Sequence, residues 1–181
     1  MEEILAIIGG VIGLLANVPL IFGIVSGKVK QSFLTYLLWG VLDGVALITI
    51  ILQDGNFWLP LGYMVGALLV AFSLVFKGRV EWGKIETLVL IFIGITLVFW
   101  AMFGSKVALI SSVIALATAS IPQIIQTCKK PKETPSWIYF LFTLSGVLSL
   151  WKGEWNVENK LYSLNIILIC FLIFLLSLRK K

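Results

Sequence analysis

Histidine is absent from this 181-residue chain, only 13% of its residues are charged, and there are just two cysteines, Cys128 and Cys170. Without an imidazole there is no Ser-His-Asp triad, no HExxH zinc site, no histidine-ligated haem and no histidine proton relay. The cysteines follow no paired spacing and lie in or beside apolar segments, so they read as packing residues rather than as a disulfide framework or a metal knuckle. Acidic residues inside the apolar runs are scarcer still: Asp43 is the one acid placed deep in such a run. An intramembrane aspartyl protease needs two buried carboxylates and is therefore excluded. A phosphate-cradling GxxxxGK is missing as well. The last apolar run, from Lys160 to Leu178, has no lysine within it to carry a retinal Schiff base. No catalytic residue, metal or cofactor is expected, and the chain does not read as an enzyme.

What the chain does have is apolar mass, 60% of its residues. A soluble domain is about half apolar and a quarter charged, so this excess cannot be hidden in one core. Apolar runs fall at about residues 4–26, 33–53, 58–76, 87–103, 107–127, 136–152 and 160–178. Each is close to the roughly 20 residues that a membrane-crossing helix needs. None alternates apolar with polar as a barrel strand would. The expected fold is an all-α integral membrane protein with seven transmembrane helices, and the lipid bilayer is its first partner. The start Met1-Glu2-Glu3 lacks a basic leader, so the first run is expected to stay in the mature protein.

Basic residues give the direction of insertion. Lys28, Lys30, Lys77, Arg79, Lys84, Lys129, Lys130, Lys132, Arg179, Lys180 and Lys181 fall on one side, and only Lys106, Lys152 and Lys160 on the other. By the positive-inside rule the N-terminus is outside and the C-terminus cytoplasmic, in the cell membrane. The net charge of +5 then reads as topology plus attraction to anionic lipid, with no nucleic-acid partner implied. Trp58, Trp82, Trp100, Trp137, Trp151 and Trp155 fall near run ends, where indoles favour the headgroup level; Trp39 lies about two turns inside the second run.

The chain also repeats itself. Ala16-Asn17-Val18-Pro19-Leu20-Ile21 is similar to Ala119-Ser120-Ile121-Pro122-Gln123-Ile124, Lys28-x-Lys30 to Lys130-x-Lys132, and Leu42-x-Gly44-Val45 to Leu144-x-Gly146-Val147. Phe72-x-Leu74 pairs with Phe174-x-Leu176. A three-helix unit that enters outside and leaves inside needs one extra crossing before a like-oriented copy can follow. The expected layout is therefore two parallel three-helix repeats, 1–80 and 106–181, joined by a linker helix in 81–105.

Pro122-Gln123, the Lys-rich turn after it and the returning helix from Ser136 resemble the PQ-loop motif, with Asn17-Val18-Pro19-Leu20 as a degenerate first copy. With the three-one-three layout, nearly the whole chain is similar to the PQ-loop and SWEET superfamily of small-solute transporters. The resemblance implies two three-helix bundles rocking about a central pocket, with Pro19 and Pro122 as hinges and Gln123 in the gating motif. It also implies a pocket built from the third and seventh helices, here Tyr63 and Asn165, and from the second and sixth, here Trp39 and Ser145 or Ser149. Sugar facilitators of that family carry hinge prolines in four helices; here Phe33 stands where the second helix would have one.

An ionised Asp43 at mid-bilayer would cost on the order of 2.5 to 3.5 kcal/mol, so it should face a wet cavity or a partner, or be protonated. On a helix it shares a face with Trp39, Gly40 and Tyr36. A carboxylate beside an indole and a phenol suits a polar or cationic solute, or proton exchange; the alternative is that Asp43 accepts bonds from Ser or Thr hydroxyls and fixes packing. Asn17 and Ser120, two residues before the prolines, either line a path or bond between helices. Asn165 is a pocket wall or a clamp. Gly9, Gly13, Ala16 and Leu20, like Gly62 and Gly66, make stripes for close helix approach. The expected function is a transporter or facilitator of a small polar solute by alternating access, with proton coupling through Asp43 left open. The alternative is a non-transporting receptor or sorting protein of the same fold. The sequence leaves the identity of the solute and a homo-oligomer open.

Overall fold

A computed structural model describes residues 1–27, 33–76 and 84–179, and among these the chain is helical with no strand. In order come α1 (Glu2–Leu15), α2 (Val18–Val25), α3 (Phe33–Ile51), α4 (Trp58–Val75), α5 (Lys84–Phe103), α6 (Ser105–Ala119), α7 (Ile121–Lys129), a 3-10 turn over Pro131–Glu133, α8 (Ser136–Leu150) and α9 (Val157–Ser177). α1 and α2 form the two parts of one rod, as do α6 and α7, so the described residues build seven rods. Four of them, Glu2–Val25, Trp58–Val75, Ser105–Lys129 and Val157–Ser177, are long and apolar enough to cross a membrane. Thr35–Ile51, Leu90–Phe103 and Ser136–Leu150 are shorter apolar helices.

Two expected runs, 4–26 and 107–127, are broken, and the cause is local. Proline has no N–H, so neither Pro19 nor Pro122 can continue the ladder of the helix before it. The chain tightens one turn earlier. The Asn17 N–H bonds the Leu14 carbonyl at 3.1 Å, and the Asn17 side chain donates from Nδ2 to the Gly13 carbonyl at 2.9 Å. At the second break the Ser120 N–H is shared between the Leu116 and Ala117 carbonyls, at 3.1 and 3.2 Å. Ser120 Oγ donates to the Leu116 carbonyl at 2.9 Å. Both polar side chains thus reach back four residues along their own helices.

The rods close into a ring of six: α1 packs on α4, α4 on α3, α3 on α6, α6 on α9, α9 on α8, and α8 on α1. α5 lies outside the ring against α6 and α3. Small residues bring the neighbours together. A Cβ on Gly62 would run into the Gly10 carbonyl, and one on Gly66 into the Asn17 side chain. A Cβ on Gly9 would fall 2.7 Å from the Ser145 carbonyl oxygen. α1 therefore meets α4 and α8 backbone to backbone, as glycine alone allows. Gly40, expected on the Asp43 face, instead packs on Leu68 of α4.

One end of the ring gathers Met1, the turn before α4, Gly104 and the turn between α8 and α9. Gly104 has φ of 84°, in the left-handed region that favours glycine, and turns α5 sharply into α6. Here lie the three lysines of the basic-poor side. Lys106 pairs with Glu158 at 3.0 Å and Lys152 with Glu3 at 2.6 Å. Lys160 is 4% exposed and donates to the carbonyls of Leu150, Lys152 and Gly153 at 2.6, 3.0 and 2.9 Å. α9 then runs away from this end, so the N-terminus and Arg179 stand at opposite ends of the ring. Of the charges expected on the other side, Lys28, Lys30, Lys77, Arg79, Lys180 and Lys181 lie outside the described residues, as do Trp82 and the boundary between 80 and 81.

Candidate functional site

A cavity of about 80 Å³ lies inside the ring. A water needs on the order of 10 to 15 Å³ on the same measure, so the space takes several waters or a solute of a few non-hydrogen atoms. Its wall is mostly apolar and aromatic. α3 contributes Tyr36, Trp39 and Asp43. These stand at i, i+3 and i+7 and so fall on one face of a helix. The Tyr36 and Trp39 rings meet edge to face at 5.1 Å. Across the ring, α4 supplies Tyr63 and α9 supplies Asn165 and Cys170. α8 adds Tyr139 and Phe142, and the two breaks add Asn17 and Ser120.

Seven of the polar and aromatic positions singled out in the sequence therefore surround one space: Asn17, Tyr36, Trp39, Asp43, Tyr63, Ser120 and Asn165. Ser145 stands one layer behind. It is fully buried, its Oγ donates to the Phe142 carbonyl at 2.7 Å and lies 3.1 Å from the Tyr63 hydroxyl, and it positions that ring. Tyr63 Oη also donates to the Phe142 carbonyl at 3.2 Å. Gln123 and Pro19 are not among the wall residues. Gln123 Nε2 reaches Thr127 Oγ1 at 3.3 Å within α7, and Thr127 meets Thr134 of the following turn at 3.0 Å, so Gln123 braces the α7 end. Pro19 opens α2 and Pro122 opens α7, each just past its break.

Asp43 is 3% exposed, and its carboxylate Oδ1 accepts from the Tyr162 hydroxyl at 2.7 Å. The donor is a phenol of α9, not the Ser or Thr hydroxyl considered from sequence. Tyr162 in turn lies edge-on to Tyr63, with centroids 6.4 Å apart. Sequence reasoning missed Tyr162, although it stands three residues before Asn165 and so on the same face of α9. It missed Tyr139 as well, because nothing in α8's pattern distinguishes its cavity side.

Two polar atoms on wall residues are buried without a partner among the described residues: Trp39 Nε1 and Asn165 Nδ2. An indole N–H can only donate. Among the described residues no lysine or arginine lines the cavity, and no cluster of His, Cys, Asp and Glu could hold a metal ion. Both cysteines are free, with Cys170 buried.

At the basic-poor end a polar crossing spans the ring. Asn56, just before α4, donates from Nδ2 to the Ser149 carbonyl at 2.8 Å and to Ser149 Oγ at 2.9 Å. Its backbone N–H donates to Asn159 Oδ1 at 3.0 Å. With Lys152 on Glu3, and Trp58 Nε1 donating to Glu3 at 2.6 Å, these contacts tie α1 and α4 to the turn between α8 and α9. Comparison of the chain with protein families, curated proteins and solved structures finds no match.

Proposed function

We propose that this chain is a membrane-embedded permease of the PQ-loop and SWEET type, in which two like-oriented three-helix bundles alternate access to a central site for a small polar solute. The observation that carries the reading is the cavity itself: α3, α4 and the break at Asn17 from one half, and α8, α9 and the break at Ser120 from the other, all send polar or aromatic side chains into it. Such a space inside an apolar bundle has no packing use. It leaves a carboxylate and an indole N–H away from bulk water, a cost that a ligand or water must offset.

Several features support a two-fold relation between the halves. The breaks at Asn17 and Ser120 stand at corresponding repeat positions, and both side chains bond back by four residues. Exchanging α1 with α6, α4 with α9 and α3 with α8 leaves the list of neighbours in the ring unchanged. α5 is the odd rod that lets the second half run in the same direction as the first. Exposed apolar side chains around the outside, Phe22 at 70%, Phe76 at 73% and Leu168 at 70% among them, suit contact with lipid. Trp151 and Trp155 stand exposed near the basic-poor end, which suits indoles at headgroup level.

In this reading the state seen is shut on the basic-poor side by Asn56, Ser149, Asn159, Glu3 and Lys152. Opening there breaks those contacts while the rods bend at Asn17 and Ser120, beside Pro19 and Pro122. Asp43 holds the solute or exchanges a proton with it. The test is counterflow in proteoliposomes with a panel of small polar solutes, with and without a pH gradient. Solute-specific exchange that is lost in Asp43→Asn is expected. Saturable binding without exchange for any solute would give the receptor reading instead.

A further inference from the structure

We infer that the cavity's ligand is a small organic monocation that carries an ammonium group at one end and an uncharged oxygen acceptor at the other, as in an amino alcohol or an amino amide. The inference rests on reading the cavity as the solute site. Its first ground is charge. Among the described residues Asp43 is the one acid on the wall, and no lysine or arginine shares the wall with it. The Tyr162 hydroxyl donates one hydrogen bond to its Oδ1 but brings no positive charge. A carboxylate in so apolar a space is neutralised by a proton or by a cation.

The second ground is that neither a proton nor a bare cation on Asp43 completes the site. A proton on Asp43 leaves Trp39 Nε1 and Asn165 Nδ2 as they are, two buried donors without acceptors. Water can fill those valences while the cavity is empty of ligand, but a ligand that displaces the water must reproduce its bonds. It therefore needs an oxygen acceptor as well as a group for Asp43. That acceptor is neutral: a carboxylate would enter a wall with no cationic side chain and face Asp43 with like charge. The third ground is the wall's surface. Tyr36, Trp39, Tyr63, Tyr139 and Phe142 present five aromatic rings to the same space. An ammonium group gains from aromatic faces, most of all where water is excluded. The cavity volume limits the whole to a few non-hydrogen atoms.

The experiment is calorimetric titration of the full-length protein in lipid nanodiscs with four probes of nearly equal size: ethanolamine, ethylamine, ethylene glycol and glycine. Ethanolamine is expected to bind at least about tenfold tighter than ethylamine, which lacks the acceptor, and than ethylene glycol, which lacks the cation. Glycine, with no net charge, is expected to bind at least about tenfold weaker than ethanolamine as well. Asp43→Asn should erase the preference over ethylene glycol, and Trp39→Phe should narrow that over ethylamine. The wild-type series alone decides the matter if a variant fails to fold. Equal or tighter binding of ethylene glycol or glycine, or no binding of any probe, overturns the inference. Counterflow read in parallel separates the two readings: exchange of some other solute keeps the permease and removes the monocation, whereas selective ethanolamine binding without exchange keeps the monocation and removes the permease.

Discussion

Tyr162→Phe isolates the contact between α3 and α9 at its center, because it removes one hydroxyl and leaves the ring in place. In the native chain that hydroxyl donates to Asp43 at 2.7 Å, and the carboxylate is 3% exposed. A hydrogen bond to a charged group contributes about 1.5 to 3 kcal/mol, while bonds measured between membrane helices average about 0.6 and reach about 1.7 kcal/mol. The cavity lets water approach the freed oxygen, which draws the estimate to the overlap of those ranges. A loss near 1.5 kcal/mol follows, roughly tenfold in the unfolding equilibrium. The sharper consequence is a sign. If the cost comes from a stranded carboxylate, then adding Asp43→Leu to Tyr162→Phe should restore part of the stability, since replacing both partners by apolar groups is nearly neutral. Reversible unfolding in mixed micelles of the wild type, both single variants and the double variant gives the coupling directly. A double variant as unstable as the sum of its parts, within about 0.5 kcal/mol, would refute the reasoning.

Gly62→Ala should prevent native assembly, because its Cβ meets the Gly10 carbonyl, whereas Gly94→Ala, whose Cβ meets nothing within 4 Å, should be tolerated; the yield of monodisperse protein compares them. Lys160→Met removes three hydrogen bonds to carbonyls at the end of α8 and in the turn after it and should cost about 2 to 3 kcal/mol, read from thermal unfolding in detergent. Glu3→Gln should change stability little, since the Glu3 side chain is 54% exposed, and the difference from wild type should shrink in high salt, read from the same thermal unfolding. Asn56→Ala loses both bonds to Ser149 and should raise the labelling rate of a cysteine introduced at Ala67, measured with a thiol reagent added from the basic-poor side; an unchanged rate would remove Asn56 from the closure.

Much of the architecture was legible from one-dimensional pattern, because an apolar rod announces itself by length and a proline by its missing N–H. The seven runs appear as seven rods, and the breaks fall beside Pro19 and Pro122 as the recurrence of their surroundings implied. The face shared by Tyr36, Trp39 and Asp43 followed from 3.6-residue periodicity alone. Gly40 shows the limit of that argument. It lies three residues before Asp43, yet the crossing of α4 turns it onto Leu68, because a helix face about 100° wide covers both a cavity and a neighbor.

By itself, then, the sequence determined that the chain is a set of apolar helices, where two of them break, and which few polar groups are costly enough to need a partner. Only the tertiary structure decided who those partners are. Tyr162 reaches Asp43 across 119 residues of chain, and Asn56 reaches Ser149 across 93. Helix order in the ring and the depth of each crossing set those distances, and both depend on side-chain volumes summed over whole interfaces. The same summation takes Ser145 off the wall and leaves Trp39 Nε1 without a partner. A local spacing rule can say which residues share a face; it cannot say what that face will meet.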